Sequence, residues 1–92
     1  MLVTLRQLQY IVAVSETGSF SKAADLVAAE QSTVSQQIKL LENRLGVAIF
    51  ERKNLPVRLT AEGEGIVLQA KEIIDKVENM LQPFKTKPNR FG

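Results

Sequence analysis

Gln31-Ser32-Thr33-Val34-Ser35-Gln36-Gln37-Ile38-Lys39-Leu40-Leu41-Glu42-Asn43-Arg44-Leu45 is the stretch on which the fold turns. Val34, Ile38, Leu41 and Leu45 follow one another at steps of four, three and four, the period of one helix face, so this stripe is expected to point inward. The other face carries Gln31, Ser32, Thr33, Ser35, Gln36 and Lys39, rich in amides and hydroxyls and poor in opposite-charge pairs. Gly46 ends the helix, being free to take the left-handed conformation that closes one.

Toward the N-terminus, Ser19 caps a short helix in which Phe20, Ala23, Ala24 and Val27 recur at helical spacing, followed by a break at Ala28, Ala29 and Glu30. The adjacent alanines let another helix approach closely, as the crossing in a helix-turn-helix requires. Further upstream, Thr4 caps a first helix, Gln7 reaches back to it, and Val3 staples onto Leu8. Leu5, Leu8, Ile11, Val12 and Val14 keep its apolar face until Gly18.

Downstream, residues 47–52 and 57–60 are β-branched or apolar runs around Lys53, Asn54, Leu55 and Pro56, which reads as a short hairpin wing. Thr60 then caps a long helix, with Glu62 and Glu64 in its first turn at the positive end of the dipole. Ile66, Ala70, Ile73, Val77 and Met80 form a seam, and Val67, Ile74 and Leu81 repeat at seven beside it. A body of about 60 residues cannot cover that length, so the seam is expected to pair with a second copy of the chain. Pro83 is expected to stop the helix near Leu81 or Gln82, leaving 83–92 as a basic linker tail.

Ninety-two residues with 45% hydrophobic and 24% charged content leave room for one domain and one core. The fold class is mainly α: a winged helix-turn-helix over residues 1–60, its helix-turn-helix at about 20–39, followed by a dimerisation helix over 61–82. Cysteine and histidine are absent, which removes thiol nucleophiles, disulfides, imidazole bases and the usual zinc ligands. No cofactor, metal or catalytic residue is expected, and the chain is not read as an enzyme. No apolar run is long enough to span a membrane and the N-terminus lacks a secretory pattern, so a cytoplasmic protein is expected. The net charge of +2 divides unevenly, with seven Lys/Arg against five Asp/Glu in residues 1–60, two against five in 61–82, and three against none in 83–92. A basic front and tail around an acidic helix fit a polyanion-binding surface.

The polar face of the 31–45 helix admits two readings, a solvated surface or a face that offers Gln, Ser and Thr to base edges in the major groove. Ser21 and Lys22 at the front of the preceding helix are either turn residues or phosphate contacts. A third reading makes the chain an oligomerisation or adaptor module whose Gln/Ser face meets protein. Glu62 with Glu64, or Glu72 with Asp75, would make acid/base pairs only in a pocket, and on an amphipathic helix they read as a solvated face.

The ordered series Ala23-Ala24, residues 31–38, Leu41-Glu42, Leu45-Gly46, Ile49-Phe50-Glu51-Arg52, Leu59-Thr60 and Gly63 resembles the N-terminal DNA-binding region of LysR-type transcriptional regulators. The resemblance covers nearly the whole chain; the alternative within the same class is the winged-helix DNA-binding domain of another regulator family. It implies sequence-specific binding of double-stranded DNA as a dimer on a pseudo-palindromic site. It also implies a small-molecule effector that acts only through a further C-terminal domain. Family base and phosphate contacts map onto Gln31, Ser32, Thr33, Ser35 and Gln36, with Ser21, Lys22 and Lys39 toward the backbone and Arg52, Lys53 and Arg58 in the wing. Two departures stand out: Glu30 replaces a frequent serine, and Leu55 and Pro56 fall where wing arginines are usual. A carboxylate facing phosphate would repel it.

Overall fold

Thr4 starts the first element through a reciprocal cap: its N–H donates to Gln7 Oε1 at 3.0 Å, and the Gln7 N–H donates to Thr4 Oγ1 at 3.1 Å. This computed structural model describes residues 3–85, running α1 Leu5–Thr17, α2 Phe20–Leu26, α3 Gln31–Leu45, β1 Phe50–Glu51, β2 Arg58–Leu59 and α4 Ala61–Lys85. The result is a mainly helical winged helix-turn-helix with a long terminal helix. The strands pair antiparallel, Phe50 opposite Leu59 and Glu51 opposite Arg58. They are shorter than the 47–52 and 57–60 runs suggest, because the Ile49 N–H is turned away to Glu42.

Every element contributes to one core. Tyr10, Ile11 and Val14 come from α1, Ala23 and Ala24 from α2, and Val34, Ile38 and Leu41 from α3, with Ile49, Phe50 and Val57 closing it from the wing. Burying each large aliphatic side chain contributes about 1.5–3 kcal/mol. Ala23 and Ala24 keep α2 low enough for α1 and α3 to pack against it.

Two leucines depart from the inward stripes. Leu5 and Leu45 are partly exposed at helix ends that overhang the core, while Gln7 and Glu42 are buried. Glu42 is satisfied by three donors: the Ile49 N–H at 2.7 Å and the Phe50 N–H at 3.3 Å to Oε2, and Arg52 Nη2 at 2.8 Å to Oε1. It thereby fixes the entry into the wing against α3.

Gly18 ends α1 at φ 68° and also receives the wing. The Val57 N–H donates to its carbonyl at 2.8 Å, and a Cβ there would lie 2.7 Å from Pro56 Cβ. Hence the wing lies on the end of α1, and only glycine fits beneath it.

The long helix corrects two expectations. Its first half belongs to the body: Val67 and Ala70 are 3% and 1% exposed and sit in the core, so they are not seam residues. They face the same way as Gly63, at the four and three spacing that a packed helix face requires. Nor does Pro83 stop α4, which continues to Lys85. So near the end, the proline ring forfeits one bond to the Asn79 carbonyl, which faces solvent, and Lys85 pairs with Glu78 across the interruption. The rest of the expected basic tail, residues 86–92, lies outside the described residues.

Candidate nucleic-acid interface

The α2–α3 turn sets the angle between the two helices. Ala28 takes a left-handed φ of 55° and the Ala29 N–H donates to the Ala24 carbonyl at 2.9 Å, so α2 closes and the chain reverses within a few residues. At the front of α2, the Lys22 N–H donates to Ser19 Oγ at 3.1 Å, and this cap leaves the side chains of Ser21 and Lys22 exposed.

On α3 the arrangement follows from about 100° of rotation per residue. Val34, Ile38 and Leu41 are buried, whereas Gln31, Ser32, Thr33, Gln36 and Lys39 are exposed and Ser35 is half-buried. Ser32, Gln36, Lys39 and Asn43 lie on the side directly opposite the core. Asn43 was not among the residues expected to take part. Its signal is the i+4 step from Lys39, and it shares with Lys39 a surface depression against Gly46, Val47 and Ala48.

The exposed face is held in place from behind. Gln7, 1% exposed, donates from Nε2 to Gln37 Oε1 at 3.2 Å while its own Oε1 accepts from Thr4. The cap of α1 is thereby tied to the helix that carries the exposed stripe.

The wing cations have separate fates. Lys53 and Arg58 are exposed, as is Leu55 at the tip between them. Arg52 is occupied: it pairs with Glu42, and its guanidinium lies 5.0 Å from the centroid of the Phe20 ring, which in turn meets Phe50 edge-on at 5.9 Å. In this position it braces the wing against α2 and α3.

Among the described residues no group of acidic side chains has the arrangement to hold a metal ion, and no helix is long and apolar enough to cross a membrane. The geometry offers a convex polar helix face flanked by exposed lysine and arginine, suited to a groove in a polyanion.

The profile of the family described as "Bacterial regulatory helix-turn-helix protein, lysR family" matches residues 5–64, which takes in the first three helices, the wing and the start of α4. The chain belongs to the LysR family. Among its LysR relatives, the HTH-type transcriptional regulator MetR of Haemophilus influenzae is 46% identical over 72 residues, covering 78% of this chain and 23% of that protein. The HTH-type transcriptional regulator BenM of Acinetobacter baylyi is 41% identical over 81 residues, covering 88% of this chain and 27% of the other. The chain thus spans about a quarter of the length of these curated relatives. Among solved structures, the BenM DNA-binding domain in complex with benA site 1 DNA superimposes with a TM-score of 0.85 at 40% identity, covering 90% of this chain and 93% of that one. The CbnR DNA-binding domain in complex with DNA gives 0.81 at 30% identity, covering 90% and 95%.

Proposed function

We propose that this chain binds double-stranded DNA sequence-specifically as the DNA-binding domain of a LysR-family transcriptional regulator, with α3 in the major groove. The observation that carries this reading is the exposed row of Ser32, Gln36, Lys39 and Asn43, backed by a buried face and by the Gln7–Gln37 bond, in a domain whose solved relatives are described in complex with DNA. Gln36 on this row and Gln31 at the leading end of the helix read base edges. Ser32, Thr33 and Ser35 add shorter hydrogen bonds, and Ser21, Lys22, Lys39, Lys53 and Arg58 meet phosphates.

The two kinds of contact leave different signatures. Gln36→Ala is expected to relax the preference at one position per half-site, by about 1–3 kcal/mol of discrimination. Lys39→Ala should weaken all sequences alike and reduce the slope of log K against log salt by about one. Sites selected from a random duplex pool, then titrated at several salt concentrations, measure both. An unchanged motif for both Gln36→Ala and Gln31→Ala removes the base-reading assignment, and salt-insensitive binding favours the adaptor reading.

Dimerisation through the free half of α4 belongs to the same reading. Ile73 and Met80 are 46% and 63% exposed, Leu81 is also exposed, and Ile74 and Val77 are half-buried along the same stretch, with Ile66 half-buried where the helix leaves the body. Near the body, Val3, Leu8, Leu41, Leu45, Ile66 and Ile73 line an apolar groove of about 260 Å³ that continues this surface. Paired with a second copy, the seam would place two α3 helices on half-sites related by a two-fold axis. Ile73→Asp would bury a charge there at a cost on the order of 3 kcal/mol or more, weakening association roughly a hundredfold. Light scattering should show a dimer for the unmodified chain and a monomer for Ile73→Asp. An unmodified chain that is monomeric at tens of micromolar shows that the seam does not pair.

A further inference from the structure

We propose that Glu30 is a specificity-determining residue that selects cytosine in the DNA site, an assignment that rests on the DNA-binding reading above. Glu30 occupies the N-cap of α3 at φ −79° and ψ 147°, where a Ser, Thr or Asp side chain folds back onto the first-turn N–H groups. The glutamate makes no such bond, and no hydrogen bond or ion pair holds its carboxylate among the described residues. Its backbone is fixed, since the Val34 N–H donates to the Glu30 carbonyl at 3.1 Å. An exposed, unpartnered carboxylate therefore stands on a rigid stem at the leading end of α3, beside the exposed side chains of Gln31, Ser32 and Thr33.

Chemistry decides what it can meet there. An ionised carboxylate only accepts hydrogen bonds, while the rest of the leading turn offers groups that donate as well as accept. In the major groove guanine shows two acceptors, and thymine an acceptor and a methyl group. Adenine places the N7 acceptor beside its amino group, but cytosine presents its N4 amino group without a flanking acceptor. Cytosine is thus the base that a carboxylate accepts without repulsion. The first residues of a recognition helix are also the ones that reach base edges.

The test compares the full chain with Glu30→Gln and Glu30→Ser in selection from a random duplex pool, followed by titration on single-base variants of the selected site. For the unmodified chain, cytosine at one position per half-site should be preferred by roughly tenfold. Glu30→Gln should move that preference to adenine, whose amino group and N7 match an amide, and Glu30→Ser should abolish it with the rest of the motif intact. A common motif for all three proteins with uniformly tighter binding by the variants would show Glu30 beside phosphate and overturn the proposal. A common motif with only a change in melting temperature would reduce Glu30 to a charge at the helix end, and would overturn it equally. The unmodified chain selecting no motif at any salt concentration is a separate result, which removes the DNA-binding reading itself.

Discussion

Glu42→Ala is expected to lower stability by about 2–4 kcal/mol, because it strands two backbone N–H groups in the core. Those of Ile49 and Phe50 both donate to Glu42 Oε2, and both residues are buried in the core. For a domain of this size the loss corresponds to a fall of roughly 10–25 °C in the melting midpoint by circular dichroism. Arg52→Ala should cost far less, about 1 kcal/mol, since Arg52 is more than a third exposed and its pair with Glu42 is screened by water. The ordering of the two variants is the informative quantity. If Arg52→Ala proves as damaging as Glu42→Ala, the ion pair and not the backbone anchoring holds the wing.

The second large effect is expected at Gly63, where α4 rests on the wing. A Cβ at this position would lie 2.0 Å from the Ile49 carbonyl oxygen, a backbone atom that cannot swing aside. The same corner is closed by Thr60, whose hydroxyl donates to the Ala48 carbonyl at 2.6 Å and accepts from the Gly63 N–H at 2.9 Å. Gly63→Ala must therefore push the first turn of α4 away from the Ile49 carbonyl and break this cap, costing about 3 kcal/mol or more, the upper range for overpacking. Gly65, two residues on, has open space where its Cβ would be. Gly65→Ala should accordingly stabilise the chain, by up to about 1 kcal/mol of helix propensity. Denaturant titration of the two variants is expected to give opposite signs. Equal and small shifts would mean that α4 does not sit against the wing.

Most of the local architecture is legible in residue order alone. The Thr4–Gln7 cap, the Gly18 and Gly46 stops, the paired alanines of α2 and the Val34–Ile38–Leu41 row are short-range signals. Each needs only the geometry of one helix, and that geometry is the same in every protein. The polar face of α3 is legible for the same reason, as the complement of its apolar row.

Where two elements meet, residue type ceases to be decisive. Nothing in the spacing of Glu42 separates it from a solvated glutamate, and it is buried because the wing brings the Ile49 and Phe50 N–H groups to it. Arg52 looks like any wing cation until Phe20 and Glu42 are placed beside it. Along α4 a heptad row is the same whether it faces the chain's own core or another molecule. The boundary between Ala70, buried, and Ile73, exposed, depends on where the body ends. Periodicity states that a helix has an apolar face, whereas long-range packing determines what covers it, because the covering atoms come from residues distant in the chain.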